Sequence, residues 1–179
     1  CVVDYVIANE AKVRFGCEDA VTDWNAGVNI PDIDVVSICT PNDSHAEIAI
    51  AALEAGKHVY CEKPIASTHQ DAKAMSEAAE KAAKKGIISM CAYQYRRVPA
   101  LVLAKKFIDE GSIGEILNVR AQYLQSWSAD PDSPLSWRFQ KAIAGAGTLG
   151  DIATHVIDIS QYLAGNISEV VSTVKTYIN

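Results

Sequence analysis

Along the first part of the chain, short apolar runs alternate with longer stretches that repeat at helical spacing. Asp34–Thr40 (DVVSICT) reads as a buried strand, and His58–Cys61 and Ile87–Tyr93 read as two more. Ser44–Ala55 between them predicts a helix. Ser44 and Glu47 make a capping-box pattern at its start, and Gly56 supplies the stop. Ser67–Lys85 predicts a long Ala/Lys/Glu helix that ends at Gly86, and Val98–Glu110 predicts another that ends at Gly111. A rhythm of strand, helix, strand, helix, strand predicts parallel βαβ units with right-handed crossovers.

The pattern changes near Tyr95. Glu115–Trp127 reads as a long strand with partial alternation. Ser128–Gly147 is loop-rich, Thr148–Ala164 is a strongly amphipathic helix, and Ser168–Ile178 reads as a final strand. The helix carries two stripes. Leu149, Ile152, Val156, Ile159 and Leu163 form the apolar one, expected to pack. Asp151, His155, Asp158 and Tyr162 form a polar one about a third of a turn away. An aspartate one turn from a histidine can orient the imidazole or favour its charged form. Taken alone, such a stripe reads more readily as a solvated face than as a site.

Composition narrows the class. The 179 residues are 49% hydrophobic and 21% charged, as in an ordinary globular protein. No apolar run approaches the roughly 18 residues of a membrane span. The net charge is −6 and the basic residues are dispersed, which argues against nucleic acid and anionic membranes as partners. None of the five cysteines has CxxC spacing, so no metal site is expected. Cys39, Cys61 and Cys91 lie in strand-like runs and are expected to be buried thiols in a reducing compartment.

Three short motifs sit where an α/β sheet would carry chemistry. Thr40-Pro41-Asn42-Asp43-Ser44-His45 joins a strand to a helix start, where ligands of open parallel sheets bind. The same residues also suit ordinary capping. Glu62-Lys63-Pro64 ends the next strand. A lysine fixed there could polarise a hydroxyl or carbonyl, although a charged strand end is more often plain surface. Gly145–Gly150 (GAGTLG) fits G-x-G-x-x-G but follows "WRFQKAIA" rather than a buried strand. It therefore reads as a tight helix start rather than a dinucleotide fingerprint.

In order, "DVVSICTPNDSHAEIAIAALEAGKHVYCEKPIA", "AYQYRRVPAL" and "WRFQKAIAGAGTLGDIATHVIDI" resemble the Gfo/Idh/MocA oxidoreductases, the family of glucose–fructose oxidoreductase and inositol dehydrogenase. The resemblance runs from about Val2 to the chain end. It implies an α/β fold with a partial Rossmann-type parallel sheet over residues 1–95. Part of an α+β open-sheet domain is implied over 96–179. It also implies NAD as cofactor, with NADP as the alternative, and hydride transfer to or from a sugar or polyol hydroxyl. The resemblance places Lys63, Asp151 and His155 in the catalytic roles and implies a cis bond at Lys63–Pro64. It makes Thr40, Pro41, Asn42, His45, Glu62, Lys63 and Gln94 cofactor contacts. Trp137 and Arg138 match the family's "WR" pair, near cofactor or substrate. Asp4 would bind the adenosine ribose at the end of the strand-like "CVVD", which favours NAD.

A cytoplasmic homo-oligomer, joined through the sheet of the second domain, is expected. Other uses of the scaffold are a redox-neutral, NAD-dependent glycosidase and a non-catalytic sugar- or cofactor-binding regulator. The family opens with a strand, a G-x-G-x-x-G turn and a helix that do not precede Cys1, so this chain is expected to be a fragment that binds cofactor weakly.

Overall fold

The computed structural model describes residues 4–127 and 129–176. The chain forms two compact units, Cys1–Ala92 and Tyr93–Asn179. In the first unit, α1 (Tyr5–Phe15) and α2 (Trp24–Val28) precede β1 (Val35–Ile38). Then come α3 (His45–Glu54), β2 (His58–Cys61), α4 (His69–Ala83) and β3 (Ser89–Cys91). The second unit holds α5 (Pro99–Asp109), α6 (Lys141–Ala144), a π-turn at Leu149–Ala153 and α7 (Thr154–Ala164).

The helix ends follow local chemistry. Asp4 caps α1 by accepting from the Val6 and Ile7 amides at Oδ1, and Gly16 closes the helix at φ +67°. Thr68 caps α4 by accepting from the Asp71 amide. The capping box expected at Ser44 does not form. A 3₁₀ turn over Asn42–Ser44 already winds the chain helically before α3. The Ser44 hydroxyl therefore turns back, onto Thr40 Oγ1 at 2.7 Å and the Pro41 carbonyl at 2.9 Å.

The three strands pair in parallel in the order β1-β2-β3, with Ile38 opposite Cys61 and Cys61 opposite Cys91. Each crossover is a helix, as the sequence pattern predicts. Alternation selects the face that packs. Val36, Ile38, Val59 and Cys61 meet Ile48, Ala49, Ala52 and Leu53 of α3 and Met75 and Ala82 of α4. Full burial of an Ile, Leu or Met side chain stabilises by about 1.5–3 kcal/mol. Val35, Tyr60 and Met90 point to the other face and are exposed. Cys39 is exposed as well, contrary to expectation, because it falls in register with Val35 and Ser37 on that face. Cys61 is buried and Cys91 half-buried, and neither they nor Cys17 and Cys39 form a disulfide.

In the second unit the expected strands Glu115–Trp127 and Ser168–Ile178 do not form a ladder among the described residues. Strand backbone is stable only when its N–H and C=O groups are paired, and no partner strand lies alongside them. Leu117, Leu124 and Val171 are exposed accordingly. Residues 1–3 of "CVVD" and residues 177–178 of the last predicted strand lie outside the described residues. No described helix is long and apolar enough to cross a membrane.

Burial, with smaller contributions from Cys91, Glu62 and Cys39, pushes the Cys61 thiol up to about 12 from an ordinary 9.0. Unfolded Cys61 therefore ionises first as pH rises. Its contribution to stability is complete below pH 9 and is lost as pH climbs from there towards 12. In chemical denaturation between pH 9 and 11, the parent chain should lose about 1.4 kcal/mol per pH unit more than Cys61→Ala. Parallel pH profiles for the two proteins would contradict this.

Candidate functional site

The carboxyl ends of β1 and β2 gather the first group of candidate residues. The amide of Glu62 donates to the Ile38 carbonyl at 2.8 Å, so the ladder carries on to the point where the motif begins. Beyond it, Lys63–Pro64 is a cis peptide bond, as the resemblance implies. The Glu62 carboxylate folds back to accept from the Lys63 amide at 3.1 Å. Lys63 is half-buried and Pro64 buried.

His45 ties this turn to its neighbour. It is fully buried at 0% exposure. Its Nδ1 lies 2.9 Å from the Pro64 carbonyl, and its Nε2 lies 2.9 Å from the Thr40 carbonyl. Each ring nitrogen thus faces a backbone carbonyl oxygen. The ring spans the two strand ends and keeps Thr40-Pro41-Asn42 beside the turn that carries Lys63. Its position is that of a bolt behind the site. Asn42 is buried within the 3₁₀ turn, whereas Pro41 is exposed.

The second group lies on and around α7. The polar stripe predicted for this helix holds its two buried side chains, and Ile152, Val156, Ile159 and Leu163 of the apolar stripe are half-buried. His155 and Asp158 are the buried residues, at 5% and 6%, while Leu149 of the apolar stripe is half exposed. The reason lies in what faces the helix. The Arg96 Nε donates to Asp158 Oδ1 and Oδ2 at 3.0 and 2.9 Å, and its Nη2 adds a third bond to Oδ1. The Asp158 hydrogen bond raises the Arg96 guanidinium above its usual range. Arg96 also lies over the Tyr162 ring, 5.5 Å from its centroid. The polar face thus meets a cation and aromatic rings rather than water.

His155 lies among three tyrosines. The Tyr95 ring is 4.4 Å away, tilted by 38°. Tyr93 presents an edge at 6.3 Å, and Tyr123 lies at 6.2 Å. None of the three was marked by sequence pattern. Tyr93, Tyr95 and Arg96 stand in "AYQYRRVPAL", and spacing gave no reason to pair them with a helix some 60 residues on. Asp158 and Tyr162 stood only as minor members of the polar stripe.

Asp151 occupies the π-turn that leads into α7, and its Oδ1 lies 3.8 Å from Arg138 Nε. Arg138 stacks over Trp137 at 4.6 Å, within a 3₁₀ turn capped by Ser136. The structure therefore brings Trp137, Arg138 and Asp151 together, three residues the sequence reading had named separately. Gly145 ends α6 at φ +73°, and Gly147, at φ +51°, lies just before the π-turn that leads into α7. Gln94 begins the 3₁₀ turn that carries Tyr95 and Arg96, and is exposed. Among the described residues no cluster of His, Cys, Asp and Glu could hold a metal ion.

With this geometry in view, comparison places the chain. A sequence model described as the oxidoreductase family, NAD-binding Rossmann fold, matches residues 1–89, and the Gfo/Idh/MocA C-terminal domain matches residues 101–179. The chain belongs to the Gfo/Idh/MocA oxidoreductase family. It is 58% identical over 172 residues to the levoglucosan dehydrogenase of Pseudarthrobacter phenanthrenivorans, covering 96% of this chain and 43% of that protein. It is 32% identical over 155 residues to the inositol 2-dehydrogenase of Salmonella paratyphi B, covering 87% of this chain and 41% of that one. A solved levoglucosan dehydrogenase in complex with NADH and levoglucosan superimposes with a TM-score of 0.94 at 56% identity. That match covers 99% of this chain and 47% of the solved one. The chain thus spans less than half the length of these relatives.

Removing Arg96 would leave the Asp158 carboxylate buried and unpaired. Arg96→Ala should lower stability by about 3 kcal/mol. Arg96→Lys should recover only part of this, because an ammonium cannot reproduce the fork. Denaturant unfolding of both variants measures the effect, and a loss below about 1 kcal/mol in Arg96→Ala would mean the pair is effectively solvated.

Proposed function

We propose that this chain carries the reacting residues of an NAD-dependent dehydrogenase that oxidises a sugar or polyol hydroxyl, an anhydro sugar such as levoglucosan foremost. The observation that supports this most is the likeness to the levoglucosan dehydrogenase complex that holds NADH and levoglucosan. NADP remains the alternative cofactor, and a cytoplasmic homo-oligomer is the state proposed with it.

The donor set suits the ribose and nicotinamide end of a dinucleotide. Thr40 offers a hydroxyl, Asn42 an amide, Glu62 a carboxylate and Lys63 an ammonium, all at the carboxyl ends of adjacent parallel strands. Pro41 shapes the turn between them, His45 braces it from behind, and Gln94 adds a second amide. Both capping bonds of Asp4 fall on Oδ1, so Oδ2 keeps the capacity to accept from a ribose hydroxyl. Trp137 and Arg138 contribute a ring and a guanidinium, with Arg138 shared between Asp151 and the ligand.

When bound, the nicotinamide supplies the acceptor for hydride. His155 takes the hydroxyl proton at its imidazole as the C–H bond breaks. Lys63 Nζ donates to the oxygen as alkoxide charge develops. Asp151, itself oriented by Arg138, holds substrate and imidazole in line.

Turnover is best measured with this chain in place of the matching segment of the levoglucosan dehydrogenase, over a panel of levoglucosan, inositols and simple pyranoses with NAD and NADP. NADH should accumulate with at least one of them. Lys63→Ala and His155→Ala should each cut kcat by about 10²–10⁴-fold. Full turnover in either variant would remove that residue from the mechanism. Glycoside cleavage without net NADH would favour the redox-neutral use of the scaffold.

A further inference from the structure

Adjacent residues of one 3₁₀ turn grip α7 at two points. Tyr95 lies against His155, and Arg96 holds Asp158 three residues further along the same helix. The Arg96 grip is an ion pair with fixed geometry. The Tyr95 grip is a ring-on-ring contact, which by itself sets orientation only loosely. Tyr95 is, however, tied at its far end. Its hydroxyl lies 2.7 Å from that of Tyr123. Gln125 Nε2 donates to Tyr123 Oη at 3.0 Å, and Trp127 Nε1 donates to Gln125 Oε1 at 2.8 Å. Trp127 in turn stacks on Phe139 at 5.4 Å. Residues 123, 125 and 127 alternate along one segment, and hydrogen bonds link each to the next, with Tyr123 at the Tyr95 end. Each hydrogen bond polarises the next. The Tyr123 bond holds the Tyr95 hydroxyl in its protonated form to higher pH than usual.

We propose that Tyr95 is a positioning residue for His155, and that the hydroxyl bond to Tyr123, backed by Gln125 and Trp127, is what holds the Tyr95 ring in place. This rests on the reading of His155 as the acid/base. The Tyr95 ring lies 4.4 Å from His155 while its hydroxyl is bonded to Tyr123, so the ring cannot swing away without breaking that bond. The imidazole then keeps one orientation through the reaction.

Loss of either hydroxyl breaks the same bond, and this gives the test. In the 179-residue chain, NMR follows the His155 ring protons, identified among the four histidines by their loss in His155→Gln. The ring current of Tyr95 displaces these resonances from their unfolded position. Tyr95→Phe keeps the ring and removes its anchor, and Tyr123→Phe removes the same anchor from the other end. Both should reduce the displacement by a similar amount, the double variant should reduce it no further, and Tyr95→Leu should reduce it most, leaving only the part due to Tyr93 and Tyr123. Unchanged resonances in the two Phe variants, or additive effects, would overturn the proposal. Circular dichroism confirms that each variant is folded.

In the levoglucosan dehydrogenase frame, the two Phe variants should lower kcat by between about 10- and 100-fold with KM nearly unchanged. They should also move the pH midpoint of kcat together. If His155→Gln retains turnover, the acid/base reading is what fails, and the resonances still decide whether Tyr95 holds the ring.

Discussion

Parallel strand pairing is the constraint on which the first unit depends. The strands of a parallel ladder have their carboxyl ends at the same edge of the sheet, so registering Ile38 with Cys61 and Cys61 with Cys91 brings those ends together. Thr40, Asn42, Glu62 and Lys63 are neighbours because of that register, although the sequence separates the two pairs by twenty residues. Apolar packing holds it. Val36, Ile38, Val59 and Cys61 fit against α3 and α4 in one cluster, and a one-residue slip would turn that set to the other face. His45 adds the polar part of the brace, with an imidazole between the Thr40 and Pro64 carbonyls.

The second unit follows a different logic. Here the buried face of the key helix is polar, and its burial draws on specific neighbours rather than on apolar packing alone. Asp158 has the Arg96 fork, and the His155 ring lies among aromatic rings. The same turn supplies both grips, so stability and orientation of the imidazole are set by one short segment, Gln94–Arg97. The π-turn before α7 brings Asp151 to Arg138.

How legible this was depends on the range of the interaction. The parallel βαβ rhythm, the helix stops at glycine and the Glu62-Lys63-Pro64 turn were all readable, because each rests on propensity or on neighbours a few residues apart. The capping box at Ser44 failed because the preceding turn was already helical. The strands expected at Glu115–Trp127 and Ser168–Ile178 join no ladder among the described residues, because alternation reports a sheet face and carries no information about a partner. The helix Thr148–Ala164 was legible as an element, yet the burial of its polar stripe at His155 and Asp158 was not legible from spacing alone. Hydrophobic spacing measures only the helix itself, and here Arg96 and three tyrosines from elsewhere decide which stripe is covered.

By itself, then, the sequence determined the βαβ succession around β1, β2 and β3 and the family, and it marked Lys63, Asp151 and His155 as candidates. Local conformational preference and motif order are properties of the chain as written. Only the tertiary structure decided that His45 faces inward as a bolt, that Arg138 meets Asp151, and that Tyr95 and Arg96 enclose the polar stripe of α7. Those contacts join residues 5 to 62 positions apart. Their free energy comes from desolvation and geometry that exist only once the chain has folded back on itself.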